Sequence, residues 1–191
     1  MKPRDRLRRT GILCCHCLRN IAFYHSWYKA GKPFSKQQFW VNANGNFLDI
    51  AVLEWCKLFG DVRGQHYYTK VVHDPSTFKG ELLSALRLTN SEFDEYVKSM
   101  RTYRDKFVAH LDDKSTMQIP ILNVAKKSVK MLYRSLLVQE ASNDTFHDAP
   151  ASASRLYKDF LAEGKKVYIR SKCGLTPRSR GTPAGKPAAA P

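Results

Sequence analysis

Stretch after stretch of this chain repeats its apolar residues at intervals of three and four, and almost none alternates them, which confines it to packed helices. The first row, Ile12, Cys15, Leu18, Ala22 and Tyr24, predicts a helix from about Gly11 to Lys29. Ala30-Gly31-Lys32-Pro33 ends it, since glycine favours a turn and proline lacks the N–H a continuing helix needs. Ser35 offers an N-cap for a second helix reaching Phe59 and closed by Gly60, with Trp40, Phe47, Ala51, Trp55 and Leu58 in one row. Asn44-Gly45 weakens it midway. Residues 61–75 read as a loop, and a third helix spans Ser76 to Leu88. The fourth is capped by Asn90 or Ser91, with Ser91 and Asp94 approximating a capping box, and carries Phe93, Val97, Met100, Phe107 and Leu111. The fifth runs from about Ile121 to Gln139 on Ile121, Val124, Ala125, Val129, Leu132 and Leu136, and is expected to lie antiparallel to the fourth. A sixth amphipathic segment, with Leu156, Phe160 and Val167, is free to pack separately.

The fold class that follows is all-α, a helical bundle of five to six helices in one domain. At 191 residues, with 43% hydrophobic and 12% aromatic content, the chain is long enough for one buried core and short for two. A basic N-terminal extension, residues 1–10, precedes the bundle at 11–141, and a linker with the additional amphipathic helix occupies 142–172. From 173 to 191 proline, glycine, alanine and basic residues dominate; they cannot offset chain entropy by burial, so a disordered basic tail is expected. No internal repeat is visible, and no segment approaches the roughly 18 apolar residues of a membrane span. Arg19 and Asn20 cut the apolar stretch after Gly11 too short for a signal peptide, so the expected location is cytoplasmic, with no membrane partner.

The formal charge is +15, from 32 Lys/Arg against 17 Asp/Glu. Such a surplus suits RNA or DNA better than a neutral metabolite, and it supplies affinity without specificity. Five cysteines, three of them in Cys14-Cys15-His16-Cys17, make no spaced disulfide framework and read as buried free thiols of a reducing compartment. Zinc is not expected there, because adjacent ligands on a helix point in different directions and no second ligand pair stands at a usual spacing. No cofactor is called for.

Arg104 breaks the rule of the rows: it falls in line with Phe93, Val97 and Met100, where an arginine needs a reason. A structural role is one such reason, since the macrodipole favours arginine near a helix C-terminus and its long stem can reach out of an apolar face. His110 lies about 120° round an ideal helix from Arg104, at the edge of the same stripe beside Tyr103. Both are placed to border one cleft.

The whole string, Tyr103-Arg104-Asp105-Lys106-Phe107-Val108-Ala109-His110-Leu111-Asp112, resembles the catalytic motif of the HEPN superfamily (higher eukaryotes and prokaryotes nucleotide-binding domain), in which an Arg and a His are separated by four to six residues. The polar Asp105 after the arginine and the closing Ala109-His110-Leu111-Asp112 look like the abortive-infection branch, over roughly residues 18 to 140. The resemblance implies a HEPN-like bundle and a metal-independent endoribonuclease of phage-defence or toxin type, with His110 as acid/base and Arg104 stabilising the phosphate. It also implies a homodimer whose two Arg/His pairs face one another, and an antitoxin as a further candidate partner. The residue chemistry agrees: imidazole titrates near neutrality, while guanidinium stays charged and donates bidentately to phosphate oxygens.

Supporting candidates are Asp105, Asn46, Asp49 and His66. Asn42, Asn46 and Asp49 form a polar row on the second helix, either lining a cleft opposite Arg104 or facing water. His66, in the loop, is a candidate second acid or base. Tyr67 and Tyr68 stack on unpaired bases or lie as lids over the core. Two other classes compete with the nuclease: a non-catalytic HEPN-like module that binds RNA, nucleotide or a partner, and an unrelated helical interaction protein in which Arg104 and His110 are structural.

Overall fold

The computed structural model describes residues 2–108 and 118–173. It is all-α, with six α-helices: α1 (Pro3–Ser26), α2 (Gln38–Trp55), α3 (Pro75–Leu86), α4 (Asn90–Tyr103), α5 (Leu122–Gln139) and α6 (Ala153–Cys173). Between α1 and α2 a minimal antiparallel hairpin pairs β1 (Tyr28–Lys29) with β2 (Lys32–Pro33). Its tip is Ala30 and Gly31, both at positive φ (50° and 74°), the geometry a two-residue hairpin turn requires. The stop signal after the first helix is therefore a hairpin turn. The tail from 174 onward lies outside the described residues.

α1 begins at Pro3, well ahead of the Gly11 that the apolar row marks, and ends at Ser26. Proline at a first helical position is pre-set for the helix, and polar contacts hold the turns that follow. Arg8 forks onto Asp148 through Nη1 (2.8 Å) and Nη2 (2.7 Å), and Arg4 Nε donates to Thr145 Oγ1 at 2.9 Å. Arg8 holds the Asp148 carboxyl down at about 2. The basic start of the chain is thus helical and docked on the connection between α5 and α6.

α1 is the central helix: α2, α5 and α6 all lie against it. Cys14, Cys17, Leu18, Ile21 and Ala22 form its buried face, while Ile12 turns to solvent. Its small side chains let neighbours come close. Opposite them Gly164 of α6 is so near Ser26 that an added Cβ would collide with its Oγ. α6 accordingly docks on α1 instead of standing apart, with Phe160 against Phe23 (ring centroids 5.5 Å) and Tyr168 against Trp27 (5.2 Å).

α5 lies against α1 and α3, not chiefly against α4 as the sequence suggested. It reaches α4 through Tyr96, whose hydroxyl donates to Ile121 O (2.9 Å) and accepts from Ala125 N (3.2 Å). Trp55 ties α2 to α5, its Nε1 donating to Ser128 Oγ at 2.9 Å inside the core. Each fully buried leucine or phenylalanine of that core contributes about 1.5–3 kcal/mol. Tyr68 is core too, stacked on Phe59 at 5.5 Å, so it lies over apolar rings and is not available to stack on bases. Among the described residues no helix is long and apolar enough to cross a membrane.

Candidate functional site

Two helix ends build the site, and both widen into a π-helical turn. α2 passes into Cys56–Gly60, closed by Asp61 N donating to Cys56 O at 2.8 Å, and α4 passes into Arg104–Val108. Bonding from i to i+5 winds the chain more slowly than an α-helix, and such turns are frequent at functional sites. α4 itself starts on a capping box of Thr89 and Glu92, two residues ahead of the Ser91/Asp94 pair read from sequence. Phe93 and Met100 then face the core, and Arg104 follows in line at the first position of the π turn.

Arg104 has a side chain only 17% exposed, and two carboxylates hold it. Nε donates to Asp105 Oδ1 at 2.7 Å and Nη1 to Asp61 Oδ1 at 2.5 Å. The bond to Asp105, partly opposed by burial and reinforced by Asp61, raises an already high pKa, so the guanidinium is charged at every ordinary pH. Beneath it burial pushes the Cys56 thiol up to about 12, the charge of Arg104 only partly opposing that. Cys56 is therefore inert at neutral pH.

The chain comes close at this point. Gly60 faces α4 so tightly that a Cβ would stand 3.3 Å from Arg101 Cγ. Arg101 borders two grooves, one of about 510 Å³ with Gly60, Asp61, Val62 and Arg63, the other of about 390 Å³ with Asp94, Val97, Lys98, Thr102 and Asp105. Each carboxylate that holds Arg104 thus opens onto a groove, and the two grooves share Arg101. On the other side Tyr103 donates to Asp49 Oδ1 of α2 at 2.7 Å; burial first and that bond second raise the phenol pKa.

No family model, curated protein or solved structure matches this chain. Of the residues picked out by sequence, Arg104 and Asp105 meet directly, whereas Asp49 bonds Tyr103, the residue before Arg104. Asn46 lies exposed on α2, and Asn42 accepts from Gln38 Nε2 at 2.7 Å. His66 is engaged with α1, its Nδ1 sharing a hydrogen bond with Thr10 Oγ1 at 3.2 Å; burial and then Arg9 lower its pKa. His110 lies outside the described residues.

Sequence reasoning missed Asp61, Gly60 and Arg101. The Gly60-Asp61 pair was visible only as a helix stop, and nothing in its spacing marks a link to Arg104. The Cys14-Cys15-His16-Cys17 run divides between environments: Cys14 and Cys17 are buried, whereas the His16 side chain is 46% exposed. Burial raises both thiols, and among the described residues no three ligating side chains are placed to hold a metal ion.

Proposed function

We propose that this protein is a metal-independent endoribonuclease, HEPN-like in its motif, with Arg104 stabilising the scissile phosphate and His110 moving protons. The observation that carries the reading is the setting of Arg104: fixed between Asp61 and Asp105, at the meeting of two π turns, with each of those carboxylates bordering a groove. A guanidinium oriented beforehand pays no reorganisation when charge develops on a pentacoordinate phosphate. In the reaction the ribose 2′-oxygen forms a bond to phosphorus as its proton passes to an imidazole, and the P–O5′ bond breaks as a second imidazole, protonated, gives its proton to the leaving oxygen. The products are a 2′,3′-cyclic phosphate and a 5′-hydroxyl.

A homodimer supplies the second imidazole. Its support is on α2, the helix that brings Asp49, where two large apolar side chains face water: Phe39 is 71% exposed and Ile50 42%. An antitoxin protein is a further partner that these exposed side chains would accept. RNA is the substrate that the net charge of +15 favours.

One observation favours a second reading, a non-catalytic module that binds RNA, nucleotide or a protein partner. The two carboxylates that orient Arg104 also neutralise it, and they repel an approaching phosphate.

Cleavage of RNA in excess chelator, with the end groups identified, separates the two. The nuclease reading expects a cyclic phosphate end and a fall of about a hundredfold in both Arg104→Ala and His110→Ala. Cleavage abolished by chelator, or unchanged in both variants, rejects it. Tight binding of RNA without cleavage supports the second reading.

A further inference from the structure

α5 carries Lys126, Lys127, Lys130 and Arg134 and no aspartate or glutamate. Lys126, Lys130 and Arg134 stand four residues apart, so they share a face at intervals of about 6 Å along the helix axis. Like charges at that spacing repel one another.

Packing relieves part of that repulsion, since the face of an aromatic ring attracts a cation. Lys126 and Lys130 both lie over the ring of Tyr157 in α6, with Nζ 5.3 Å and 4.6 Å from its centroid. The ring is buried, and its hydroxyl is 2.8 Å from His25 Nδ1, which keeps it from turning away. Lys158, next in α6, adds its field to that on Lys130. Burial first, then neighbouring lysines, lower the pKa of both ammonium groups. The hydrogen bond of Lys126 goes to a neutral group, Asn123 Oδ1 at 3.1 Å. Beside the row a groove of about 390 Å³ runs between Lys130, Arg134, Ser152 and Ser154, where α6 begins.

A row of cations on a helix that carries no acid gains from an anion that bridges them. A flexible single strand can follow such a row with successive phosphates. We propose that Lys126, Lys130, Arg134 and Lys158 form a docking surface for the phosphodiester backbone of single-stranded RNA, built from helices other than those that build the Arg104 cluster. The surface reads charge and not bases, and it holds a strand while another part of it reaches the Arg104 grooves. The identity of the strand as RNA rests on the function proposed above; the docking itself needs no chemistry at Arg104.

The test is fluorescence anisotropy of the full chain with a short labelled single-stranded RNA, across a range of salt. Lys126→Gln/Lys130→Gln/Arg134→Gln is expected to weaken binding about tenfold or more and to flatten the slope of log K against log salt by about 2, at roughly 0.7 per lost phosphate contact. A control with the same loss of charge, Lys29→Gln/Lys32→Gln/Lys36→Gln, is expected to change affinity by less than about threefold. Single-stranded DNA of the same sequence is expected to compete about equally well. Equal losses in the two triple variants, or unchanged binding in the first, overturn the proposal. Loss confined to Arg104→Ala overturns it while leaving the RNA reading in place, and a wild-type chain that binds no RNA defeats both. Should the first triple variant fail to fold, Lys158→Gln alone, at an exposed residue, is expected to weaken binding in the same direction by about threefold.

Discussion

Asp61 governs what Arg104 can do. Its carboxylate both orients the guanidinium and repels a phosphate, and an amide of the same shape separates the two effects. Asp61→Asn is expected to lower KM for RNA by about threefold and to lower kcat by about tenfold, because repulsion eases while the guanidinium loses its tether. Steady-state kinetics on one RNA substrate give both numbers, and a rise in kcat would show that orientation by Asp61 is unimportant. Arg104→Lys is expected to fail as badly as Arg104→Ala in the same assay, since a point charge cannot reproduce the fork. Arg104 itself was legible in the sequence because it interrupts an apolar row. Asp61 was not, for the contact depends on two π turns, and a wider turn leaves no period in the pattern of residues.

The docking of α6 on α1 carries a built-in response to acid. Burial first, and Lys126 second, push His25 down to about 4, so it is neutral in the folded chain at pH 7. An unfolded histidine titrates near 6.5. The stabilisation is therefore complete above about 6.5 and is lost as pH falls through the folded value near 4. Urea unfolding at neutral pH and near pH 4.5 is expected to show a loss on the order of 1–2 kcal/mol in the wild type beyond that in His25→Gln, after allowance for partial solvent exposure. Equal losses in both chains would remove His25 from the account. Gly164→Ala tests the same contact by size: its new methyl meets Ser26, and thermal unfolding is expected to report destabilisation of about 1–3 kcal/mol. At this scale the six helices were legible, because each needs a periodic face for burial. Their partners were less so. A row identifies which face is buried but not against which helix, so α5 was assigned to α4 when it lies on α1 and α3, and α6 was left apart. The first turns of α1 were missed because Arg4 and Arg8 hold them by polar contacts, which have no period.

For the molecule as a whole, the exposed Phe39 and Ile50 make association testable. Light scattering at micromolar concentration is expected to report a dimer for the wild type and a monomer for Phe39→Asp/Ile50→Asp, with RNA cleavage lost in the second; a wild-type monomer that cleaves RNA would exclude the shared site. The order of the helices along the chain has its own consequence. The helix at the centre of the bundle is the first of the six to be made, whereas the residues that clasp its start come 140 positions later, at Asp148. At a synthesis rate of about 5–20 residues per second, the buried face of that helix waits roughly 7–28 s for its last neighbours. α2 follows soon enough to cover one side, and during that interval the surface that α5 and α6 will bury has only the ribosome, a chaperone or another nascent chain to lie against.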